Sequence, residues 1–281
     1  MSSTTAFVLG GGGPLGAHEV GMLQGLLEAN IVPDLVVGTS IGAINGAIIA
    51  SEPSLATVGR LAELWTSLGR ATVFQGSVGA RLATIFNERT HIFDNSALRR
   101  LVAEALSVDR IEDLAVPFEC VAASIERANV HYFTQGSIVD AVVASSAVPG
   151  LLPPVEIDGE HFLDGGLVAS IPLDRAIDRR ATEIYVLQVG RIEQPLEVPT
   201  RPWEVALVAF EISRRHRFSE ALANVPEGVA VHVLPTGDPK RFNDLRQYRG
   251  GKGDSVAQRI EQSYEATVAH LAEHRLGRTE R

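Results

Sequence analysis

Apolar residues in this chain fall into two kinds of run. Some are short: residues 6–9 and 35–37, which are unbroken, and 118–125, 130–133, 183–189 and 229–234, each with one or two polar residues. Runs of that length, bounded by Gly, Pro or polar residues, read as strands, and an unbroken apolar strand is buried on both faces. Others are longer, with apolar positions recurring every three or four residues. They run from Pro14 to about Glu28, where Val20, Leu23 and Leu27 share a face, and over residues 58–68, 97–106, 138–145, 203–224 and 255–274. That period predicts helices, and Pro14 suits a first helical turn, where its missing N–H costs nothing. The stretch after Ser40 carries Gly42, Ala43, Gly46 and Ala47, small residues that let a helix lie close to a sheet. Residues 155–157 and 161–163 flank Asp158-Gly159, a hairpin signal. Strands alternating with helices predict an α/β fold with a largely parallel sheet. Residues 72–95 lack a clear period and read as a loop or a lid.

Composition narrows the picture. The 281 residues are 45% hydrophobic and 21% charged, which suits one domain over residues 1–281. A formal net charge of −9 gives no electrostatic footprint for nucleic acid. Cys120 is the only cysteine, so no intramolecular disulfide is possible. The first Lys or Arg is Arg60, so no basic region precedes the apolar start as in a secretory leader. The longest weakly polar stretch, residues 35–50, is short for a membrane span of about 20 residues and contains Thr39, Ser40 and Asn45. Cytoplasmic residence, with transient contact at a membrane surface, is the expectation. Nothing in the sequence specifies an oligomeric state.

The chemistry concentrates at two strand-to-helix turns. Gly38-Thr39-Ser40-Ile41-Gly42 directly follows the run at 35–37. A G-x-S-x-G between strand and helix is a nucleophile elbow, with the serine oxygen standing free at the strand end. Upstream, Gly10 to Gly13 follow the run at 6–9. Backbone N–H groups of Gly11, Gly12 and Gly13, with that of Ile41, are candidate donors to a developing oxyanion. A tight turn alone also explains glycines, and Gly16 and Gly21 read that way. Residues 11–16 literally match G-x-G-x-x-G, a dinucleotide fingerprint, which needs an acidic residue at the end of the next strand. That strand ends in Gly38-Thr39-Ser40, and Asp34 lies at its beginning.

Serine needs a base. None of the eight histidines sits in a compelling motif, and the α/β-hydrolase fold needs several strands before its elbow, where this chain has one. Asp164, in Phe162-Leu163-Asp164-Gly165-Gly166, is the better candidate: a carboxylate at a strand end with two glycines behind it.

Taken together, residues 11–16, 38–42 and 164–166, with Ala144-Ser145-Ser146-Ala147-Val148-Pro149-Gly150 between the last two, resemble the patatin-like phospholipase family. The likeness covers roughly residues 6–190. It implies a three-layer α/β/α sandwich with a mainly parallel central sheet. It also implies a Ser40–Asp164 dyad, with Ser40 as nucleophile and Asp164 as general base, and oxyanion donors at Gly11, Gly12, Gly13 and Ile41. The implied reaction is hydrolysis of a lipid ester or phospholipid through an acyl-enzyme, with no cofactor and no metal. A non-catalytic lipid-binding or regulatory member of the fold is the alternative, against which the intact Ser40 and Asp164 argue. The family often carries a basic residue just before the last glycine of the first motif. Here that residue is Leu15, which cannot hold a phosphate; ester hydrolysis does not need it. Leu151, Leu152 and Val155 read as an acyl channel or as core. Trp203, Leu207, Phe210 and Phe218, beside Arg214, Arg215, His216 and Arg217, read as a core-facing stripe with a solvated end, or as an interfacial surface for lipid.

Overall fold

A computed structural model of the chain describes residues 3–70, 93–189, 195–200, 202–237 and 256–279. The expected loop or lid at 72–95 lies, apart from its last three residues, outside the described residues. In chain order the first elements are β1 (Thr5–Leu9), a 3-10 turn (Gly13–Gly16), α1 (Ala17–Glu28), β2 (Leu35–Thr39), α2 (Ile41–Ser51) and α3 (Leu55–Arg70). Then come α4 (Ser96–Ala105), β3 (Phe118–Ser124), β4 (Asn129–Phe133), α5 (Ile138–Ser145), β5 (Val155–Ile157) and β6 (Glu160–Asp164). The rest are α6 (Gly166–Ala169), α7 (Leu173–Asp178), β7 (Glu183–Leu187), α8 (Pro202–Ala223), β8 (Ala230–Leu234) and α9 (Val256–Thr279).

The eight strands make one sheet in the order β5-β6-β3-β2-β1-β7-β8, with β4 also on β3. β3, β2, β1, β7 and β8 are mutually parallel. β4, β5 and β6 form an antiparallel part, of which the sequence pattern set apart only the β5–β6 hairpin. The β5–β6 hairpin forms as expected: Ile157 pairs with Glu160, and Asp158 and Gly159 between them have φ of 53° and 79°. Both central residues at positive φ is what a two-residue hairpin turn requires.

Alternation along the strands divides the core in two. Phe7, Leu9, Val36, Tyr185 and Leu234 face a layer of α1, α2, α3 and α5, with Leu271 of α9 packed into it. Ala6, Val8, Leu35, Val37, Ile184 and Val186 face α7 and Phe218 and Ala221 of α8. Helices on both faces of a mostly parallel sheet make the three-layer α/β/α sandwich. The short helices α6 and α7 were not anticipated, because each is too brief to show a helical period. Among the described residues no helix is long and apolar enough to cross a membrane.

Candidate active site

β3 is the ruler that assembles the site. Thr39, the last residue of β2, pairs with Val121, and Asp164, the last of β6, pairs with Ala122. β4 pairs with residues 120–124 and so occupies the opposite edge of β3. β2 and β6 therefore share one edge and meet end to end, one pointing up and the other down. Ser40, next after Thr39, is thereby delivered to Asp164 across 124 positions of sequence.

The local backbone sets the serine out. Ser40 has φ 54° and ψ −120°, a conformation that costs a non-glycine residue about 1–3 kcal/mol and persists only where the surroundings dictate it. The turn closes because its flanks carry no side chain. A Cβ at Gly42 would stand 2.4 Å from the Leu9 carbonyl oxygen, and one at Gly38 would stand 2.4 Å from that of Gly42. Ser40 Oγ donates to Asp164 Oδ2 at 2.6 Å, and the Gly166 N–H donates to Oδ1 at 2.7 Å. The end of α5 and the residues just after it hold both partners. Ser145 Oγ accepts the Ser40 N–H at 2.9 Å, while the N–H groups of Asp164 and Gly165 donate to Ala147 and Ser145 carbonyls at 2.9 and 3.1 Å. Ser40 is 8% exposed and Asp164 is 7% exposed. Burial pushes the Asp164 carboxyl up to about 6, while the hydrogen bonds from Ser40 and Gly166 pull the other way.

The glycine run lies alongside. A Cβ at Gly11 would be 3.4 Å from that of Ser40. The Gly11 N–H, however, already donates to the Ser170 carbonyl at 2.9 Å. This differs from the expectation that Gly11 is an oxyanion donor: its amide is committed to holding the loop on the turn after α6. The N–H groups of Gly12, Gly13 and Ile41 have no acceptor among the described residues. Each stands at or just before a helix start, where amides lack an intrahelical partner. Gly13 has φ 55°, which turns the chain into the 3-10 segment.

Behind the loop lies a buried polar network that the sequence reading missed. Asn45 of α2 donates to the Gly16 carbonyl at 3.0 Å and to Glu19 Oε2 at 2.7 Å, and accepts from Trp65 Nε1 at 3.0 Å. It ties the glycine-rich turn, the elbow helix and α3 together. Full burial raises the Glu19 carboxyl well above its ordinary value, with hydrogen bonds from Asn45 and the Gly10 backbone opposing. The available signal was a lone Asn in an otherwise apolar α2. From the last helix, buried Arg259 donates to the Pro14 carbonyl at 2.9 Å. A cation therefore backs the turn that carries Leu15, and Leu15 itself is buried.

Among the described residues no histidine hydrogen-bonds to Ser40 or Asp164. His18 is buried in α1, His131 meets Arg127 at 2.8 Å, and His161 Nδ1 meets Glu126 at 2.7 Å. Val155 is core, Leu152 is half-buried, and Leu151 and Val148 are exposed just beyond Ala147. The basic cluster of α8 is only partly drawn into the fold: Arg214 is buried and Arg215 half-buried, while His216 and Arg217 are exposed. Arg214 and Arg215 reach Glu211 at 2.8 Å, and Arg217 donates to the Val168 carbonyl. Phe218 is buried; the side chains of Trp203, Leu207 and Phe210 lie outside those described.

Comparison with known proteins shows what the chain is similar to. The family model for patatin-like phospholipase matches residues 7–177. Patatin-like phospholipase domain-containing protein 6 of Mus musculus is 33% identical over 190 residues, covering 67% of this chain and 14% of that protein. Lysophospholipase nte1 of Aspergillus terreus is 31% identical over 193 residues, covering 68% of this chain and 12% of that protein. The chain thus spans about one-seventh or less of the length of these relatives. Among solved structures, VipD of Legionella pneumophila superimposes with a TM-score of 0.56 at 15% identity, covering 98% of this chain and 67% of that one, a likeness of fold.

Proposed function

This chain belongs to the patatin-like phospholipase family, and from that premise we propose that it is a lipid acyl-ester hydrolase working through a Ser40–Asp164 dyad. The observation that carries the reading is the 2.6 Å hydrogen bond from Ser40 Oγ to a buried Asp164, at a serine held in a strained elbow.

Ser40 Oγ attacks the ester carbonyl carbon as its proton passes to Asp164 Oδ2. The carbonyl oxygen becomes an oxyanion, held by the N–H groups of Gly12, Gly13 and Ile41, each otherwise without an acceptor among the described residues. Collapse breaks the bond to the alcohol oxygen, which leaves with the proton from Asp164, and the acyl group stays on Ser40. Water then attacks the acyl-enzyme, giving its proton to Asp164. Collapse returns a proton to Ser40 and releases the fatty acid. An ordinary carboxylate is a weak base for an alcohol. Burial lifts Asp164 to about 6, closer to a working pH near neutrality, where a general base is most effective. The Gly11 amide positions the loop. The exposed Val148 and Leu151, on the segment that holds Asp164, form an apolar lip for the acyl chain or a transient lipid-surface contact.

The test is hydrolysis of p-nitrophenyl esters of increasing acyl length by the wild type, Ser40→Ala and Asp164→Asn. Loss of activity in both variants, with circular dichroism unchanged, supports the dyad, and the chain-length optimum sizes the acyl site. Undiminished activity in Ser40→Ala contradicts it, and a wild type that binds lipid but turns over no ester favours the non-catalytic reading.

A further inference from the structure

Three imidazoles meet where the last helix crosses the edge of the sheet, away from the dyad. His232 comes from β8, and His270 and His274 from α9; one ligand nitrogen from each lies within 4.8 Å of the others. We propose that His232, His270 and His274 form a divalent-metal site of zinc type that clamps α9 to β8.

Five features argue for it. His270 and His274 are four apart on one helix, so their rings lie on one face, with centroids 4.1 Å apart. His232 Nε2 is 2.7 Å from Glu183 Oε1, the carboxylate–histidine pairing that orients a metal-binding ring and raises its basicity. Its Nδ1 is then the lone-pair nitrogen, and that atom is buried with no partner among the described residues. His274 Nδ1 donates to the His270 carbonyl at 2.9 Å, leaving Nε2 free to ligate. His270 Nε2 is likewise buried without a partner. Tyr185 stacks on His232 at 4.7 Å and fixes that ring from the other side.

Two buried imidazole nitrogens without partners and a third ring beside them are costly for a fold and natural for a metal. Three imidazoles with no thiolate suit Zn²⁺, Cu²⁺ or Ni²⁺ rather than Mg²⁺ or Ca²⁺. Tetrahedral zinc with Zn–N of roughly 2.0–2.1 Å needs nitrogens about 3.4 Å apart. The 4.8 Å spread closes by rotation of His274, the exposed member of the three. That side leaves a fourth position to water.

The test uses the full chain without an affinity tag, stripped with chelator and titrated with Zn²⁺ by calorimetry and with Co²⁺ by visible absorption. The expected result is one ion per chain, a tetrahedral Co²⁺ spectrum, and a melting temperature raised by Zn²⁺. His274→Ala, at an exposed position, should weaken binding at least 10-fold and abolish the thermal shift. Glu183→Gln should weaken it about 10-fold. No stoichiometric binding by the wild type, or equal affinity in His274→Ala, overturns the site. The ester-hydrolysis reading is untouched by either result, since none of these residues belongs to the dyad.

Discussion

The dyad and the histidine cluster are two polar clusters held together in different ways. At the C-terminal end of β2, Ser40 and Asp164 are joined because two strands end on consecutive residues of β3, and the backbone at Ser40 is held in a strained conformation. At the sheet edge, His232, His270 and His274 are joined by helix period and strand pairing on ordinary backbone. The first arrangement fixes one geometry and leaves little to adjust. The second has an exposed member that can swing. A nucleophile that must meet its base at 2.6 Å needs the first kind; a ligand set that closes around an ion tolerates the second.

Breaking the rigid cluster should produce the largest effects. Removing the nucleophile in Ser40→Ala should lower kcat for ester hydrolysis on the order of 10⁴-fold, read in the p-nitrophenyl assay, with the fold intact. Asn45→Ala strikes the support behind the glycine-rich turn. It strips partners from Trp65 Nε1, the Gly16 carbonyl and Glu19, all buried. At about 1–3 kcal/mol for each orphaned group, only partly additive, a loss of about 2–4 kcal/mol by urea denaturation is expected, together with a lower kcat.

Asp164→Asn sharpens the contrast by separating activity from stability. The folded state holds Asp164 at about 6 against an ordinary 3.8, because burial disfavours the charge. The native state therefore binds this proton more tightly than the unfolded chain. Its protonation stabilises the fold below about pH 4, and that contribution is lost as pH rises through 6. At about 1.4 kcal/mol per unit of difference, the cost reaches up to about 3 kcal/mol above pH 7. The Asn variant avoids it, so it should melt higher than wild type at pH 8 and match it near pH 4, while being inactive. An Asn variant less stable than wild type at pH 8 would show that the charge is stabilised in place.

The smallest effects should come from substitutions that leave each cluster's working atoms alone. Glu19→Gln replaces a carboxyl whose charged form burial disfavours, so stability should change by less than about 1 kcal/mol, with the pH profile unmoved. A marked loss would mean Glu19 is charged and part of the machinery.

Much of the site was legible because its signals are local. A serine between glycines after an unbroken apolar run, and an aspartate at a strand end, can be seen without knowing what lies beside them. Their meeting was not legible from spacing, since β3 brings them together and β6 enters the sheet antiparallel; there the family resemblance supplied the pairing. The commitment of the Gly11 amide to Ser170 was hidden for the same reason. Glu19 shares a face of α1 with Met22, Leu23 and Leu26, all buried, but its partner Asn45 lies on another helix, so their pairing left no sequence trace. The His270–His274 spacing was visible, but its third member lies on a strand and its carboxylate on another. The helices α6 and α7 were too short for a period to form.

The central claim is that buried Asp164 acts directly on Ser40 Oγ. The measurement that tests it most directly is the rate of fluorophosphonate labelling, with the adduct mapped by mass spectrometry, as a function of pH in wild type and Asp164→Asn. The account predicts an adduct on Ser40, a wild-type rate that rises through a pH of about 6 as Asp164 ionises, and a slow, flat profile in the variant. Labelling of Asp164→Asn at the wild-type rate, or an adduct on another residue, would contradict it.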